Sequence, residues 1–184
     1  MKVILATLLT AAVIAVACGN DGFNTMAIEH AQEQGLVKNC KPESNAPART
    51  EGETFITKGG VSVVVITEAP EANPAQANDE IAVHFTGSLA DGTPFGDSRE
   101  QLDGPFEFSI HTDDAICGFV EGVVGMSPGE VRELTIPPEL AYGSSGSPAI
   151  PAPDGSAGFP GIPAHATVVF EIEMIEFIQL EPAE

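Results

Sequence analysis

Residues 168–174 read Val168-Val169-Phe170-Glu171-Ile172-Glu173-Met174. Large apolar side chains occupy every second position of this stretch, and a period of two is typical of a β-strand with one buried face. The same period recurs at Ile81, Val83 and Phe85, at Phe106, Phe108 and Ile110, and at Arg132, Leu134 and Ile136. Because turn residues separate these segments, the pattern predicts an antiparallel sheet with one apolar face.

One segment departs from the period of two. Its apolar residues fall at helical spacing, at Ile116, Phe119, Val120, Val123 and Val124. Asp113 and Asp114 precede it and favour the positive end of a helix dipole, while Gly125 favours a left-handed C-terminal cap. We therefore predict an α+β fold in which one short helix covers the apolar face of the sheet.

The first residues are typical of an export signal. Lys2 is followed by an uncharged apolar run over residues 3–17, which predicts a signal peptide over residues 1–17. Residues 18–55 are polar and interrupted by prolines, and we interpret them as a tether with a candidate short helix over residues 25–34. The folded domain is expected over residues 56–181.

Cys18 stands at the predicted cleavage point. The pair Ala17-Cys18 resembles a bacterial lipobox, in which the cysteine is lipidated and becomes the first residue, whereas Ala15 and Ala17 also suit ordinary signal peptidase cleavage. In the first case the protein contacts a membrane only through a lipid anchor at Cys18. In both cases the domain is expected outside the cytoplasm, in the periplasm or at the outer cell surface.

The two other cysteines are interpreted in the light of export, because disulfides persist in oxidising compartments. If Cys18 is lipidated, Cys40 and Cys117 remain as a candidate disulfide pair. Two free thiols, or a disulfide of Cys18 in an unlipidated protein, stay open as alternatives. No cysteine and histidine spacing typical of a metal site occurs in the sequence, and no metal or cofactor is expected.

The charge of the chain is strongly acidic. Its 184 residues carry 27 Asp and Glu against seven Lys and Arg, for a formal net charge of −20. Only two of the basic residues, Arg99 and Arg132, lie beyond Lys58. Such a surface repels phosphate backbones and anionic headgroups, which argues against a nucleic-acid partner.

Seven short strings carry a resemblance to a known family over about residues 61–180. They are Val83-His84-Phe85-Thr86-Gly87, Asp91-Gly92-Thr93-Pro94-Phe95, Pro105-Phe106-Glu107-Phe108, Gly118-Phe119-Val120-Glu121-Gly122-Val123, Leu134-Thr135-Ile136-Pro137-Pro138, Ala141-Tyr142-Gly143, and residues 162–170 from Ile162-Pro163-Ala164-His165 to Phe170. In this order they resemble the FKBP-type peptidyl-prolyl isomerases.

The resemblance implies a curved antiparallel sheet wrapped around one short helix, with a substrate pocket between them. Matched position by position, it assigns substrate binding to Phe85, Phe95, Phe106, Ala115, Phe119, Ile162 and Phe170. It assigns catalytic roles to Asp97, to the backbone N–H of Ile116 and to the phenol of Tyr142. Val83, Phe108, Leu134 and Ile172 are expected to be ordinary core residues.

The implied activity is cis–trans isomerisation of X-Pro bonds in exported polypeptides, whose folding it would assist without a cofactor. The implied partners are proline-containing clients and macrolide-type inhibitors. Three departures from the family pattern support an alternative, a chaperone or binding module with little turnover. Phe85 replaces a tyrosine, Phe119 replaces a tryptophan, and Gly96 separates Phe95 from Asp97. The loop over residues 148–160 is also longer than usual.

Overall fold

A computed structural model of the chain describes residues 40, 42, 46–102, 104–110, 115–149 and 159–178. The predicted signal peptide, Cys18, the candidate helix over residues 25–34 and the middle of the long loop lie outside these described residues.

The described residues contain seven strands in one sheet. The strands are β1 (Thr54–Ile56), β2 (Ser62–Thr67), β3 (Glu80–Leu89), β4 (Pro94–Asp97), β5 (Phe106–Ser109), β6 (Val131–Ile136) and β7 (Val168–Phe177). They follow the order β1-β2-β6-β7-β3-β4, with β5 also paired to β3. Every pair is antiparallel, which confirms the prediction from the period of two.

The two longest strands lie side by side near the middle of the sheet. Phe85 of β3 pairs with Ile172 of β7, and Gly87 pairs with Phe170. The alternating apolar side chains of both strands are buried, and the glutamates of β7 lie on the other face. Alternation therefore selects which face of the sheet forms the core.

The predicted helix is present as α2 (Cys117–Val123), which follows the one-turn helix α1 (Ser98–Gln101). Two glycines let α2 approach the sheet closely. A Cβ added at Gly118 would lie 2.1 Å from Ile136 Cγ2, and one at Gly122 would lie 2.2 Å from Leu134 Cδ1. Gly125 follows the helix with a φ of 79°, the left-handed conformation expected for it.

Two short helical elements were not predicted. The helix α1 spans four residues, too few for an apolar period, and begins where the Asp97 carboxylate accepts a hydrogen bond from Arg99 N. A 3₁₀ turn (Pro138–Leu140) follows β6 and precedes Tyr142.

A disulfide joins Cys40 to Cys117, with the two Cα atoms 5.1 Å apart. Cys40 belongs to the polar N-terminal extension, whereas Cys117 is the first residue of α2. Both residues are buried. The extension is thus attached covalently to the start of α2, the longest helix among the described residues.

Candidate active site

Five phenylalanine rings from five different elements form what we term the aromatic cluster, which consists of Phe85, Phe95, Phe106, Phe119 and Phe170. Phe85 lies at its centre, with ring centroids 5.9 Å from Phe106, 5.8 Å from Phe119 and 5.8 Å from Phe170. Phe95 reaches the cluster through Phe170, at 5.5 Å. All these contacts are edge-to-face, the arrangement that aromatic quadrupoles favour.

Four rings of the aromatic cluster belong to the buried core, and the fifth, that of Phe106, packs against it. Phe85 is 5% exposed and Phe170 is 4% exposed, whereas Val83 and Ile172, their neighbours on the same strands, are 0% exposed. Phe106 is only partly buried. A second molecule would therefore reach the Phe106 ring first, while Val83 and Ile172 serve as core residues.

Phe108, expected in the core, is buried but also extends the cluster. Its ring stacks on that of Phe106, with centroids 5.1 Å apart and planes at 14°, and lies 5.5 Å from that of Phe119. The period of two along β5 does not distinguish a core ring from a ring of the cluster.

The backbone of Ile116 offers a hydrogen-bond donor three residues before Phe119, at the start of the same helix. Ile116 precedes α2 with extended dihedral angles, and its carbonyl accepts from the N–H groups of Phe119 and Val120. Among the described residues, none accepts a hydrogen bond from the Ile116 N–H. The adjacent Ala115 is buried with it. A carbonyl brought to this point would find an uncommitted donor at a helix start.

Tyr142 is buried and belongs to the same core as the aromatic cluster. Burial raises the pKa of its phenol above the ordinary value, so the hydroxyl stays protonated at neutral pH. Its backbone carbonyl accepts from Gly146 N, which fixes the start of the following loop. The phenol is thus held as a neutral donor.

Asp97 has a visible structural role. Its carboxylate caps α1 by accepting from Arg99 N at 2.8 Å. Gly96 is the residue beside the cluster, because a Cβ built there would lie 3.7 Å from Phe85 Cε2. The catalytic role assigned to Asp97 stays a prediction, and the observed hydrogen bond accounts for the residue without it.

Sequence reasoning missed two groups that hold the cluster in place. The buried Ser98 hydroxyl accepts from Phe85 N at 2.9 Å and contacts His84 Nδ1 at 3.1 Å. At the C-terminal end of α2, Arg132 Nη1 donates hydrogen bonds to the carbonyls of Gly122 and Val124, both at 2.9 Å. Position on the inner face of β6 indicated that Arg132 points inward, but not what it contacts.

Arg132 is fully buried and paired. Its Nε donates to Glu130 Oε1 at 2.6 Å, and Glu130 Oε2 accepts from Ser127 N at 3.0 Å. A guanidinium out of contact with water requires such a partner. Arg132, held by Glu130, thus connects β6 to the C-terminal end of the helix that carries Phe119.

Phe159, at the end of the long loop, was not among the predicted site residues. Its ring lies 6.3 Å from that of Phe95, and the residue is buried. Ile162 follows and forms a two-way backbone bridge with Ser147, with both N···O distances 2.8 Å. No sequence signal pointed to Phe159, because a loop of Gly, Pro and Ala has no periodicity.

The described residues contain no cluster of three or more His, Cys, Asp or Glu side chains suited to a metal ion. Within the same ranges, no helix is both long and apolar enough to cross a membrane.

A sheet that packs on one short helix, with an aromatic cluster at their junction and a helix-start N–H that has no acceptor in the described part of the chain, defines a class of non-covalent peptide-binding sites. The sequence profile of the FKBP-type peptidyl-prolyl cis-trans isomerases matches residues 71–175. The chain belongs to this family.

Relatives of known sequence agree with this membership. The chain is 41% identical over 102 residues to peptidyl-prolyl cis-trans isomerase FKBP2 of Mus musculus, an alignment that covers 55% of this chain and 64% of the relative. It is 36% identical over 149 residues to FKBP4 of Rattus norvegicus, covering 80% of this chain and 30% of the relative. The chain thus spans less than two thirds of the length of these relatives.

Solved structures are similar at the level of the fold. The crystal structure of FkpA from Escherichia coli has a TM-score of 0.53 at 28% identity, covering 81% of this chain and 58% of that one. The crystal structure of AtFKBP13 gives the same TM-score and identity over 68% of this chain and 99% of that one.

Proposed function

We propose that this protein catalyses cis–trans isomerisation of X-Pro bonds in exported polypeptides. The observation that carries the proposal is the aromatic cluster together with the Ile116 N–H, which starts the helix of Phe119 and has no acceptor among the described residues. Membership of the isomerase family supports it.

Isomerisation of an X-Pro bond breaks no covalent bond, so it needs no nucleophile. Rotation about an X-Pro bond faces a barrier of roughly 18–20 kcal/mol, because the planar amide is stabilised by resonance. The twisted amide has lost that conjugation and much of its charge separation. Aromatic walls that exclude water therefore favour the twisted form over the planar one.

The polar groups have separate roles. In this proposal the Ile116 N–H binds the carbonyl of the residue before proline and holds it while the bond turns. The neutral Tyr142 phenol donates a hydrogen bond to the peptide chain. The cluster would receive the proline ring, and macrolide-type inhibitors would compete for the same surface.

The decisive experiment is cis–trans exchange of an Ala-Xaa-Pro-Phe peptide, followed by NMR with purified protein. We expect catalysed exchange, and Tyr142→Phe should lower kcat/KM up to about ten-fold through loss of one hydrogen bond. Exchange no faster than in buffer would refute the isomerase and favour the second candidate, a chaperone or binding module. The observation in favour of that candidate is that Asp97 is committed to a helix cap while Gly96 lies beside Phe85.

We further propose that the protein works outside the cytoplasm, with residues 1–17 removed and Cys18 lipidated. The Cys40–Cys117 disulfide supports this compartment, because such bonds are rare in reducing cytosol. Mass spectrometry of the mature N-terminus tests it. An acylated Cys18 is expected, and an unmodified Cys18 or a different first residue would contradict lipidation.

A further inference from the structure

Gly96 of β4 leaves an opening beside the central ring of the aromatic cluster. Apart from its neighbours in the chain, a Cβ built on Gly96 would meet two groups within 4 Å, Gln101 Oε1 at 3.5 Å and Phe85 Cε2 at 3.7 Å. Both distances are ordinary van der Waals contacts, so an alanine would fit. The opening is therefore bordered by the Phe85 ring and by the side-chain amide of Gln101.

The fold does not require a glycine at position 96. Its φ lies outside the left-handed region, whereas Gly92 and Gly125 are both at positive φ. No close approach requires it either, in contrast to Gly118 and Gly122, where a Cβ would overlap a side chain of β6. A glycine within a strand costs stability relative to alanine, because its backbone loses more freedom on folding. What this glycine provides is the opening itself.

The Gln101 amide is fixed at the edge of this opening. The Asp97 N–H donates to Gln101 Oε1 at 3.2 Å, and because the amide oxygen faces that donor, the two N–H bonds of Nε2 are left for other partners. None of the described residues accepts a hydrogen bond from Nε2. Among the same residues only Arg132 Nη2 and Ser147 Oγ are buried without a partner, so Gln101 Nε2 keeps solvent-accessible surface. Gln101 thus presents a donor that a second molecule can reach.

An X-Pro segment needs donors from its binding site. Proline has no N–H, so the backbone around the bond carries more carbonyl acceptors than donors. A carboxylate only accepts at neutral pH, whereas the Gln101 amide also donates. The carboxylate expected to act here, that of Asp97, is already committed to Arg99 N at 2.8 Å. The neutral amide is therefore the better suited of the two groups to bind a client carbonyl.

We propose that Gln101 is a client-binding residue of the site, whose Nε2 donates to a backbone carbonyl of the bound X-Pro segment. The carbonyl enters the opening that Gly96 leaves beside Phe85. The inference rests on the proposed isomerase function and gives it a third donor, after the Ile116 N–H and the Tyr142 phenol. It also accounts for the missing side chain at position 96.

Gln101→Glu separates this role from that of a helix cap. Glutamate has nearly the same shape and keeps an acceptor for the Asp97 N–H, but it has no donor at neutral pH. In the exchange assay with an uncharged, end-capped Ala-Xaa-Pro-Phe peptide, we expect kcat/KM to fall about five-fold, the effect of one lost hydrogen bond. The midpoint of urea unfolding should stay unchanged. Glu100→Gln, at an exposed position of the same helix, is the matched control and should change neither quantity.

Gln101→Met distinguishes the lost donor from the added charge. Methionine removes the donor without introducing a carboxylate, so kcat/KM should again fall about five-fold. A loss confined to Gln101→Glu would mean repulsion by the new charge and would overturn the hydrogen bond. Turnover equal to that of the wild type in both variants would refute the binding role and leave the isomerase standing, whereas no catalysed exchange by the wild type would refute both.

Gly96→Ala tests the opening itself. The added methyl group would occupy the space next to Gln101 and Phe85, so kcat/KM should fall about five-fold while the urea midpoint does not fall. Because both changes remove the same contact, the double variant Gly96→Ala with Gln101→Glu should lose no more activity than either single variant. Losses that multiply to about 25-fold would show independent effects and overturn the shared contact.

Discussion

The ring of Phe119 meets the ring of Phe170 edge-on, with centroids 5.3 Å apart and planes at 89°. Phe119 is on α2 and Phe170 is on β7, so this pair joins the helix to the sheet within the aromatic cluster. Both rings are buried in the core, so the residues proposed to bind proline also stabilise the fold.

The first prediction concerns this pair. A double-mutant cycle with Phe119→Leu and Phe170→Leu, measured by urea unfolding, should give a coupling of about 0.5–1.5 kcal/mol. The control cycle combines Phe119→Leu with Phe159→Leu, since Phe95 and Phe170 lie between those two rings. It should give a coupling near zero. Equal coupling in both cycles would contradict the observed packing.

The buried ion pair gives the second prediction. Arg132→Met leaves the Glu130 carboxylate buried without its cation, and the free energy of unfolding should fall by about 3–5 kcal/mol. The double variant Glu130→Gln with Arg132→Met should recover part of this loss, because no uncompensated charge remains. If Arg132→Met alone is as stable as the wild type in urea unfolding, the buried Glu130 carboxylate does not need Arg132 as its counter-ion.

The third prediction follows from the contact of α2 with β6. Alanine is the better helix former, yet Gly122→Ala should lower the free energy of unfolding by about 1–3 kcal/mol, because its Cβ would overlap Leu134. Gly96→Ala is the matched control, since a Cβ there meets its nearest atom at 3.5 Å. Stabilisation of Gly122→Ala would mean that helix propensity outweighs packing.

Tyr142 gives the fourth prediction, on pH. Its pKa is raised in the folded state, so the native protein holds its proton above pH 10 while the unfolded chain releases it. Stability should therefore fall as the pH rises through about 10. Tyr142→Phe should lack this part of the fall. Because Tyr142 is the only tyrosine, absorbance at 295 nm follows its ionisation alone, and a titration midpoint near 10 would contradict the shift.

The disulfide gives the fifth prediction. It closes a loop with a sequence separation of 77, for which the chain-entropy relation gives about 4.5 kcal/mol of stabilisation. Replacing Cys40 and Cys117 by serine should lower the free energy of unfolding by about this amount. Wild-type protein whose disulfide has been reduced should have the same free energy of unfolding as the serine variant. If the variant has the same urea midpoint as the oxidised wild type, the disulfide does not stabilise the fold.

Sequence periodicity predicts much of the fold because burial repeats along it. The inner faces of β3, β6 and β7 and the position of α2 follow directly from the spacing of apolar residues. The register between strands does not follow from spacing, and neither does the helix α1, whose four residues hold no period.

The period of apolar residues predicted less of the candidate site than of the fold. Phe85 and Val83 both fit the period of two along β3. Only the family resemblance distinguished Phe85, as a site residue, from Val83, as a core residue. Phe159 was missed because its contact with Phe95 is made across the sheet edge from a loop without pattern. Three cysteines allow several pairings, and the folded backbone is what brings Cys40 to Cys117.

The bond between Cys40 and Cys117 also decides how a mechanical load would enter the domain. Tension applied at any residue before Cys40 arrives first at Cys117, and so at the N-terminal end of the helix that carries Phe119. The intervening chain, including β1 to β5, is bypassed as long as the bond is intact. Force applied to the N-terminal extension would thus be transmitted to the helix of the candidate site before it is transmitted to the outer strands.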